Sequence, residues 1–284
     1  MCGRYIIITK IKQIEKRFNV SAFDPNLFNP SYNVSHGDLA PVITQENPKA
    51  LSFFQFGFTP HWGKKQYYQI NARSEGDKNK DNDPLYTGRK GIFDKPMFRH
   101  SIRSKRCLVI ADCFVEGPQK ERLDKPYVVY LRGDHPFSLA GIYDQWINKE
   151  TGEEISSFAI ITAPPNHLLK QIGHHRSPVI VAEDFRSDWL NADMPAADIS
   201  QIMTPYPSEL MNAYPISSAI KNPRATGPEL IDPIGQRLNP EHTVNLTHEM
   251  DLEGMGKSAN TQLPKKGSYG KEHKTETGDQ LNLF

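Results

Sequence analysis

Cysteine is scarce in this chain of 284 residues: there are three, Cys2, Cys107 and Cys113. So small and odd a number excludes a disulfide framework and points to a reducing compartment. Net charge is equally sparse. Lys and Arg total 34 against 33 Asp and Glu, leaving +1, which excludes a generally polycationic coat for nucleic acid but leaves room for a local basic groove. No apolar run approaches the roughly 18 residues of a membrane span, and no basic-then-apolar leader opens the chain. The expectation is a soluble cytoplasmic protein without a membrane partner. Aromatic residues desert one end: Trp62, Trp146 and Trp189 all precede residue 238, and between 239 and 278 Tyr269 stands alone. Sequence that polar cannot bury enough apolar area to offset its ordering entropy. The chain therefore divides into a folded part at 1–238 and a disordered tail at 239–284, whose last five residues turn apolar again.

What apolar sequence there is comes in short runs. Residues 5–9, 51–56, 107–110, 127–131, 157–162 and 178–181 are β-branched or aromatic and bounded by turn residues, which predicts strands. Ile11, Ile14, Glu15 and Phe18 have helical spacing, and Asn166 is placed to cap a helix through Leu168, Leu169 and Ile172. Two more short helices are expected at 183–190 and 196–203. Regular βαβ alternation is missing, so the fold expected is α+β, a mixed and largely antiparallel β-rich domain with flanking short helices.

The opening Met1-Cys2-Gly3-Arg4 carries the most chemistry. Removal of the initiator methionine, usual before a small residue, leaves Cys2 with a free α-amine and a thiol on adjacent carbons. Their ordinary pKa values, about 7.7–8.0 and about 8.5, give both a reactive fraction at neutral pH. A 1,2-aminothiol can form a Schiff base with an aldehyde and close through sulfur to a thiazolidine; it can equally act as an N-terminal nucleophile on an amide. Three other segments hold polar side chains beside strands: Ile70-Asn71-Ala72-Arg73-Ser74-Glu75, the run from Cys107 to Glu116, and Ile172-Gly173-His174-His175-Arg176-Ser177-Pro178. Each alone has a plain structural explanation as a turn, a strand end or a surface histidine.

Taken together with the opening tetrapeptide, these segments resemble the SRAP family, the SOS response-associated peptidase or abasic site processing proteins (YedK- and HMCES-like). Further matching stretches are Ser31-Tyr32-Asn33-Val34, the run from Phe56 to Trp62, Ala140-Gly141-Ile142-Tyr143, Ile161-Thr162-Ala163 and the run from Ser217 to Asn222, so the resemblance spans residues 2 to about 235. It implies an SRAP-type domain that captures abasic sites in single-stranded DNA through a covalent thiazolidine link to Cys2 after loss of Met1, and that reverses the link. It also implies a role in the SOS response, DNA damage and repair, with hydrolase, protease and lyase character. By the same resemblance Cys2 is the nucleophile and Asn71 hydrogen-bonds around the cysteine and the sugar. Glu116 is the general acid or base, and His174 assists ring opening and reversal; His175 receives no role. Arg4, Arg73 and Arg176 match positions that approach phosphates, each able to fork onto two oxygens, and Trp62 matches an aromatic that stacks or wedges at the strand. Arg99, Arg103, Lys105 and Arg106 form a basic stretch placed to widen the groove. The sequence departs from the family pattern at Gly117-Pro118, where an aromatic is common after the glutamate, and at Ser177.

The terminal Gln280-Leu281-Asn282-Leu283-Phe284 looks like the pentapeptide with which bacterial proteins dock on the replicative sliding clamp. Gln280, Leu281, Leu283 and Phe284 are its anchors on a flexible leash, and the location expected is damaged or replicating DNA at the nucleoid. Two other readings stand beside capture of abasic sites: an N-terminal-nucleophile amidohydrolase, which also begins Met-Cys-Gly, and a non-catalytic DNA- or clamp-binding adaptor with an inert Cys2. No cofactor is implied. No metal is expected, because Cys107 and Cys113 lack close paired spacing and His174 and His175 are adjacent. A monomer is the default.

Overall fold

The computed structural model describes residues 2–83, 85–133 and 135–241. Its strands fall into two sheets, and the chain crosses between them within a single residue. Arg106–Ala111 is buried throughout, as a strand covered on both faces must be. Cys113–Glu116 follows it but pairs in the other sheet. Asp112, at the crossing, accepts hydrogen bonds from the Ile8 and Thr9 amides at 2.6 and 2.9 Å and from the Thr9 hydroxyl at 2.6 Å. Burial raises its carboxyl, and these three donors oppose the rise. The crossing is thereby stitched to the end of the first strand.

One sheet closes on itself. Glu154–Ala163, Phe137–Ile147, Arg106–Ala111, Leu39–Thr44 and Ala50–Phe56 pair antiparallel in that order. Ala50–Phe56 then returns to Glu154–Ala163 in parallel, with Ser157 opposite Gln55 and Phe158 opposite Phe56. A five-stranded barrel results, and closure leaves these strands no unpaired edge along the seam. Phe56 stacks on Phe158 there with ring centroids 5.2 Å apart. The long central strand needs its glycine: a Cβ on Gly141 would stand 2.7 Å from Cys107 Sγ and 2.8 Å from Val109. The second sheet is antiparallel throughout, in the order Met211–Pro215, Tyr127–Leu131, Cys113–Glu116, Arg4–Ile7, Ser31–Val34.

This is the α+β, largely antiparallel architecture expected from the sequence, with short helices at its flanks. Ile11–Phe18 packs Ile14 into the core and ends at Asn19, whose φ of 51° is left-handed. His167–Ile172 is capped as foreseen, with the Asn166 side chain accepting from the Leu169 amide, and Gly173 ends it at φ 81°. Several strands escaped the sequence reading, the short Ser21–Ala22 and Ser31–Val34 among them. Leu39–Thr44 contains Pro41, Phe137–Ile147 contains Gly141 and a polar pair, and Met211–Pro215 has no β-branched residue. The run expected as one strand at 178–181 is split: Ser177–Pro178 pairs with Glu154–Ala163, and Ile180–Val181 with Phe137–Ile147. Residues 239–241 pack on the second sheet, where Glu241 accepts from the Tyr130 hydroxyl at 2.7 Å and the Asn212 amide at 2.8 Å. The rest of the expected tail, with Gln280, Leu281, Leu283 and Phe284, lies outside the described residues.

Candidate active site

Strand register brings four distant segments to one place. Arg4 lies opposite Val115, so the start of the chain runs beside Glu116. Asn71–Arg73 pairs along one side of Glu154–Ala163, and Ser177–Pro178 along the other, so Asn71 and the His174 turn flank the same strand end. Between them opens a cleft of about 520 Å³ whose lining includes Gly3, Arg4, Ile70, Glu116, His174 and His175.

Cys2 is fully buried. Asn71 Nδ2 donates to its carbonyl oxygen at 3.0 Å, while Asn71 Oδ1 is buried without a partner. Burial, reinforced by the nearby charge of Glu116, pushes the Cys2 thiol well above its ordinary pKa. The thiol is therefore protonated at rest, and Glu116 is close enough to act on it electrostatically.

Glu116 and His174 form a second pair, with Oε2 and Nε2 3.1 Å apart. His174 Nδ1 lies 2.6 Å from the Gly117 carbonyl. A carbonyl only accepts, so Nδ1 carries the proton and Nε2 of the neutral ring is left as an acceptor. Burial raises the Glu116 carboxyl to about 7 and lowers the His174 imidazole to about 4. The two shifts place the shared proton on the carboxyl. At neutral pH this pair holds an acid poised to give or take a proton, which is the arrangement acid–base chemistry needs.

Gly117, one of the departures from the family pattern, has a steric reason. A Cβ there would stand 1.8 Å from the Arg122 carbonyl oxygen. The turn after Glu116 folds over that position, and the same residue supplies the carbonyl that orients His174.

The basic residues divide sharply. Arg4 reaches the cleft, donating to the Gly3 carbonyl at 2.9 Å, and burial lowers its pKa. Arg73 donates to the Asn79 carbonyl and lies within the field of Arg176. Arg176 does not present its fork to the cleft as the resemblance implied. Its two terminal nitrogens donate to Glu75 Oε1 and Oε2 at 2.8 and 2.7 Å, and one also donates to the Thr162 carbonyl at 2.8 Å. Burial raises Glu75, and the Arg176 fork overcomes it to hold that carboxyl below its ordinary range. The basic stretch does not form one groove wall either. Arg106 is fully buried, with its guanidinium donating to the carbonyls of Ile102, Arg103, Trp189 and Asn191. Lys105 is bound to Asp144 at 2.7 Å, and Arg103 lies over the Phe93 ring. Arg99 and Arg103 are the exposed members of the stretch, Arg99 on a turn and Arg103 on the short helix Ser101–Ser104.

Trp62 is half-exposed, its ring 6.4 Å from Tyr67. Its turn is moored to the barrel by two neighbours: the His61 amide and Nδ1 each lie 2.8 Å from Asp144 Oδ2, and Trp146 Nε1 donates to the Gly63 carbonyl. Two residues of this region received no role from the sequence. Glu75 follows Asn71 and Arg73 but pairs with a residue 101 positions away, and His175 lines the cleft with a buried Nδ1 that has no partner. Among the described residues no cluster of three or more His, Cys, Asp or Glu is arranged to hold a metal ion.

Known proteins resemble this chain over the same region. The family described as SOS response associated peptidase (SRAP) matches residues 1–223. The abasic site processing protein YoqW of Bacillus subtilis is 32% identical over 239 residues, covering 82% of this chain and 99% of the relative. YoaM of the same organism, also described as an abasic site processing protein, is 32% identical over 239 residues and matches 82% of this chain and 98% of its own. A crystal structure of a Bacteroides thetaiotaomicron protein superposes with a TM-score of 0.65 at 28% identity, covering 76% of this chain and 92% of that one.

Proposed function

This chain belongs to the SRAP family, and from that premise we propose that it processes abasic sites in single-stranded DNA by capturing them covalently on Cys2, as part of the response to DNA damage. The observation that carries the reading is the hydrogen bond from Asn71 to the Cys2 carbonyl, made in a cleft whose other wall is the Glu116–His174 pair.

The reaction needs the α-amine of Cys2, so the Met1–Cys2 peptide bond is first hydrolysed. An abasic sugar rests mainly as a ring-closed hemiacetal. His174 and Glu116 move the proton from its hydroxyl to the ring oxygen as the carbon–oxygen bond breaks and the aldehyde forms. The Cys2 nitrogen adds to that aldehyde carbon. Glu116 in its acid form protonates the departing hydroxyl, so one water leaves and a Schiff base remains. The Schiff base is protonated at nitrogen, and the Cys2 thiol, kept protonated by burial, adds through sulfur to its carbon. The C=N electron pair returns to nitrogen and the thiol proton returns to the Glu116 carboxylate, which closes the five-membered ring and restores the acid. One water is released overall and no oxidant is needed. Running the steps backwards with water returns the aldehyde, which gives the link its reversibility. Arg4 and Arg73 are assigned to phosphates, and Trp62 to stacking on a base beside the gap, because a site without a base offers only backbone and neighbours to bind.

The test is a denaturing gel of Met1-free protein mixed with single-stranded DNA bearing one abasic site. A heat-stable shifted band is expected, with the mass of both partners less one water, and Cys2→Ala should lose it. A wild-type protein that shows no band overturns the reading. Protein made in an aminopeptidase-deficient extract and weighed by mass spectrometry reads whether the chain removes Met1 itself. The tail reading rests on sequence alone: Gln280, Leu281, Leu283 and Phe284 dock on the replicative sliding clamp. Deleting 280–284 should abolish capture of the clamp in a pull-down, and unchanged capture overturns that part.

A further inference from the structure

Resting on that reaction, we propose that Glu75 is a positioning residue: by forking onto Arg176 it clamps the His174 turn to the Asn71 strand and so sets His174 against Glu116. The turn has two ends. At its upstream end it is held by the helix cap, where the His174 amide donates to the Leu169 carbonyl at 2.8 Å. At its downstream end the anchor is Arg176, two residues on. Glu75 stands just past the Asn71–Arg73 strand, and the Ser74 amide extends that ladder by donating to the Thr162 carbonyl at 2.9 Å. Arg176, which precedes Ser177–Pro178 on the other flank, donates to the same Thr162 carbonyl. The ion pair thus crosses the end of Glu154–Ala163 and ties together the two short strands on its flanks, one bearing Asn71 and the other leading back to His174.

The clamp is built to be rigid. Both partners are buried, Glu75 at 0% and Arg176 at 1% exposure. Ser74 Oγ and Asn79 Nδ2 donate to the remaining lone pairs of Glu75 at 3.0 and 3.3 Å, and Asn82 accepts from Arg176 at 3.3 Å. The chain folds over the pair so closely that a Cβ on Gly91 would lie 2.4 Å from the Glu75 carbonyl oxygen. A bidentate fork fixes direction as well as distance, whereas one carboxylate bound to a lone cation would leave the turn free to rotate. His174 needs that direction, because its proton exchange with Glu116 works only over one hydrogen-bond length.

Glu75→Gln keeps the shape and removes the charge; Glu75→Asp keeps the charge and shortens the reach. Glu75→Gln is expected to lower the maximal rate of adduct formation about 100-fold, with the half-saturating DNA concentration within about threefold of wild type, and Glu75→Asp to recover part of the rate. By NMR, the His174 ring, held near 4 by burial, should titrate closer to its ordinary value in Glu75→Gln, because a loosened turn meets water. An unchanged rate and titration overturn the clamp, as does a variant whose DNA affinity falls while its maximal rate stays. Should Glu75→Gln fail to fold, Glu75→Asp with wild-type thermal stability decides: a reduced maximal rate supports the clamp and a wild-type rate overturns it. Should the wild type form no adduct, the proposed reaction has failed and the His174 titration alone decides: movement supports the clamp, and none overturns it.

Discussion

Two buried carboxylates flank the same histidine turn and end in opposite states. Glu75 and Glu116 are 0% and 2% exposed, so burial penalises the charge on both. Glu75 faces a guanidinium that answers with two parallel hydrogen bonds, and it stays ionised. Glu116 faces an imidazole that is itself buried and driven toward neutrality, and its carboxyl rises to about 7. The lesson is that depth does not decide protonation here; the partner does. An always-charged, forked partner makes a girder, and a titratable partner makes a reagent.

The largest effect should come from removing the reagent. Glu116→Gln keeps the hydrogen-bonding shape but cannot exchange a proton, and single-turnover adduct formation should slow by about 10²–10⁴-fold, the usual worth of general acid–base catalysis. Unaltered kinetics would place the proton transfers on another group and dissolve the contrast with Glu75.

The girder should reveal itself in stability. Arg176→Met leaves the Glu75 charge buried and alone, which costs about 3–5 kcal/mol and should appear as a lowered urea midpoint. Adding Glu75→Gln to that variant should restore much of the loss, because both charges are then gone. If the double variant is as unstable as the single one, packing and not charge holds the segment.

Glu116 and His174 also pull stability in opposite directions with pH. The Glu116 carboxyl is raised from 4.5 to about 7, so its contribution is intact below 4.5 and is lost as pH rises through 7. The His174 ring is lowered from 6.5 to about 4, so its contribution is intact above 6.5 and is lost as pH falls through 4. In the wild type the two slopes largely cancel. Glu116→Gln should therefore gain stability relative to wild type as pH rises from 4.5 to 7, by about 3 kcal/mol across the window at 1.36 kcal/mol per unit. His174→Gln should lose stability relative to wild type as pH rises from 4 to 6.5. Urea titrations at stepped pH read both, and parallel curves for all three proteins would contradict the paired shifts.

The segments that hold the Glu116–His174 pair were easier to single out in the sequence than the Glu75–Arg176 fork. Cys2, Asn71, Glu116 and His174 each sit in a short segment with its own character, and the resemblance joined them. Glu75 lies beside Asn71 in one of those segments, yet nothing local says that its partner is 101 residues away. Arg106 misled for the related reason that its neighbours Arg99, Arg103 and Lys105 are basic, so it read as a surface residue. Its burial depends on four backbone carbonyls, two of them near residue 190, that only the fold delivers. Strands with β-branched or aromatic runs were legible. Those interrupted by Pro41, Gly141 or Asn212 were not, because their pairing is set by neighbours in the sheet and not by local preference.

The smallest predicted effect is also the one that touches both halves of the contrast. Gly117 stands where the family commonly places an aromatic residue, and here no side chain fits, since the Arg122 carbonyl oxygen occupies the Cβ position at 1.8 Å. Its own carbonyl is the acceptor for His174 Nδ1. Gly117→Ala must push the following turn outward, at a cost of about 1–3 kcal/mol for overpacking. The push bears on the tautomer-fixing bond of His174 from the Glu116 side, while the Glu75–Arg176 fork holds the turn from the other. If the fork dominates, thermal stability falls but the adduct still forms at close to the wild-type rate. If the rate falls together with stability, the Gly117 carbonyl shares the positioning of His174 with the fork.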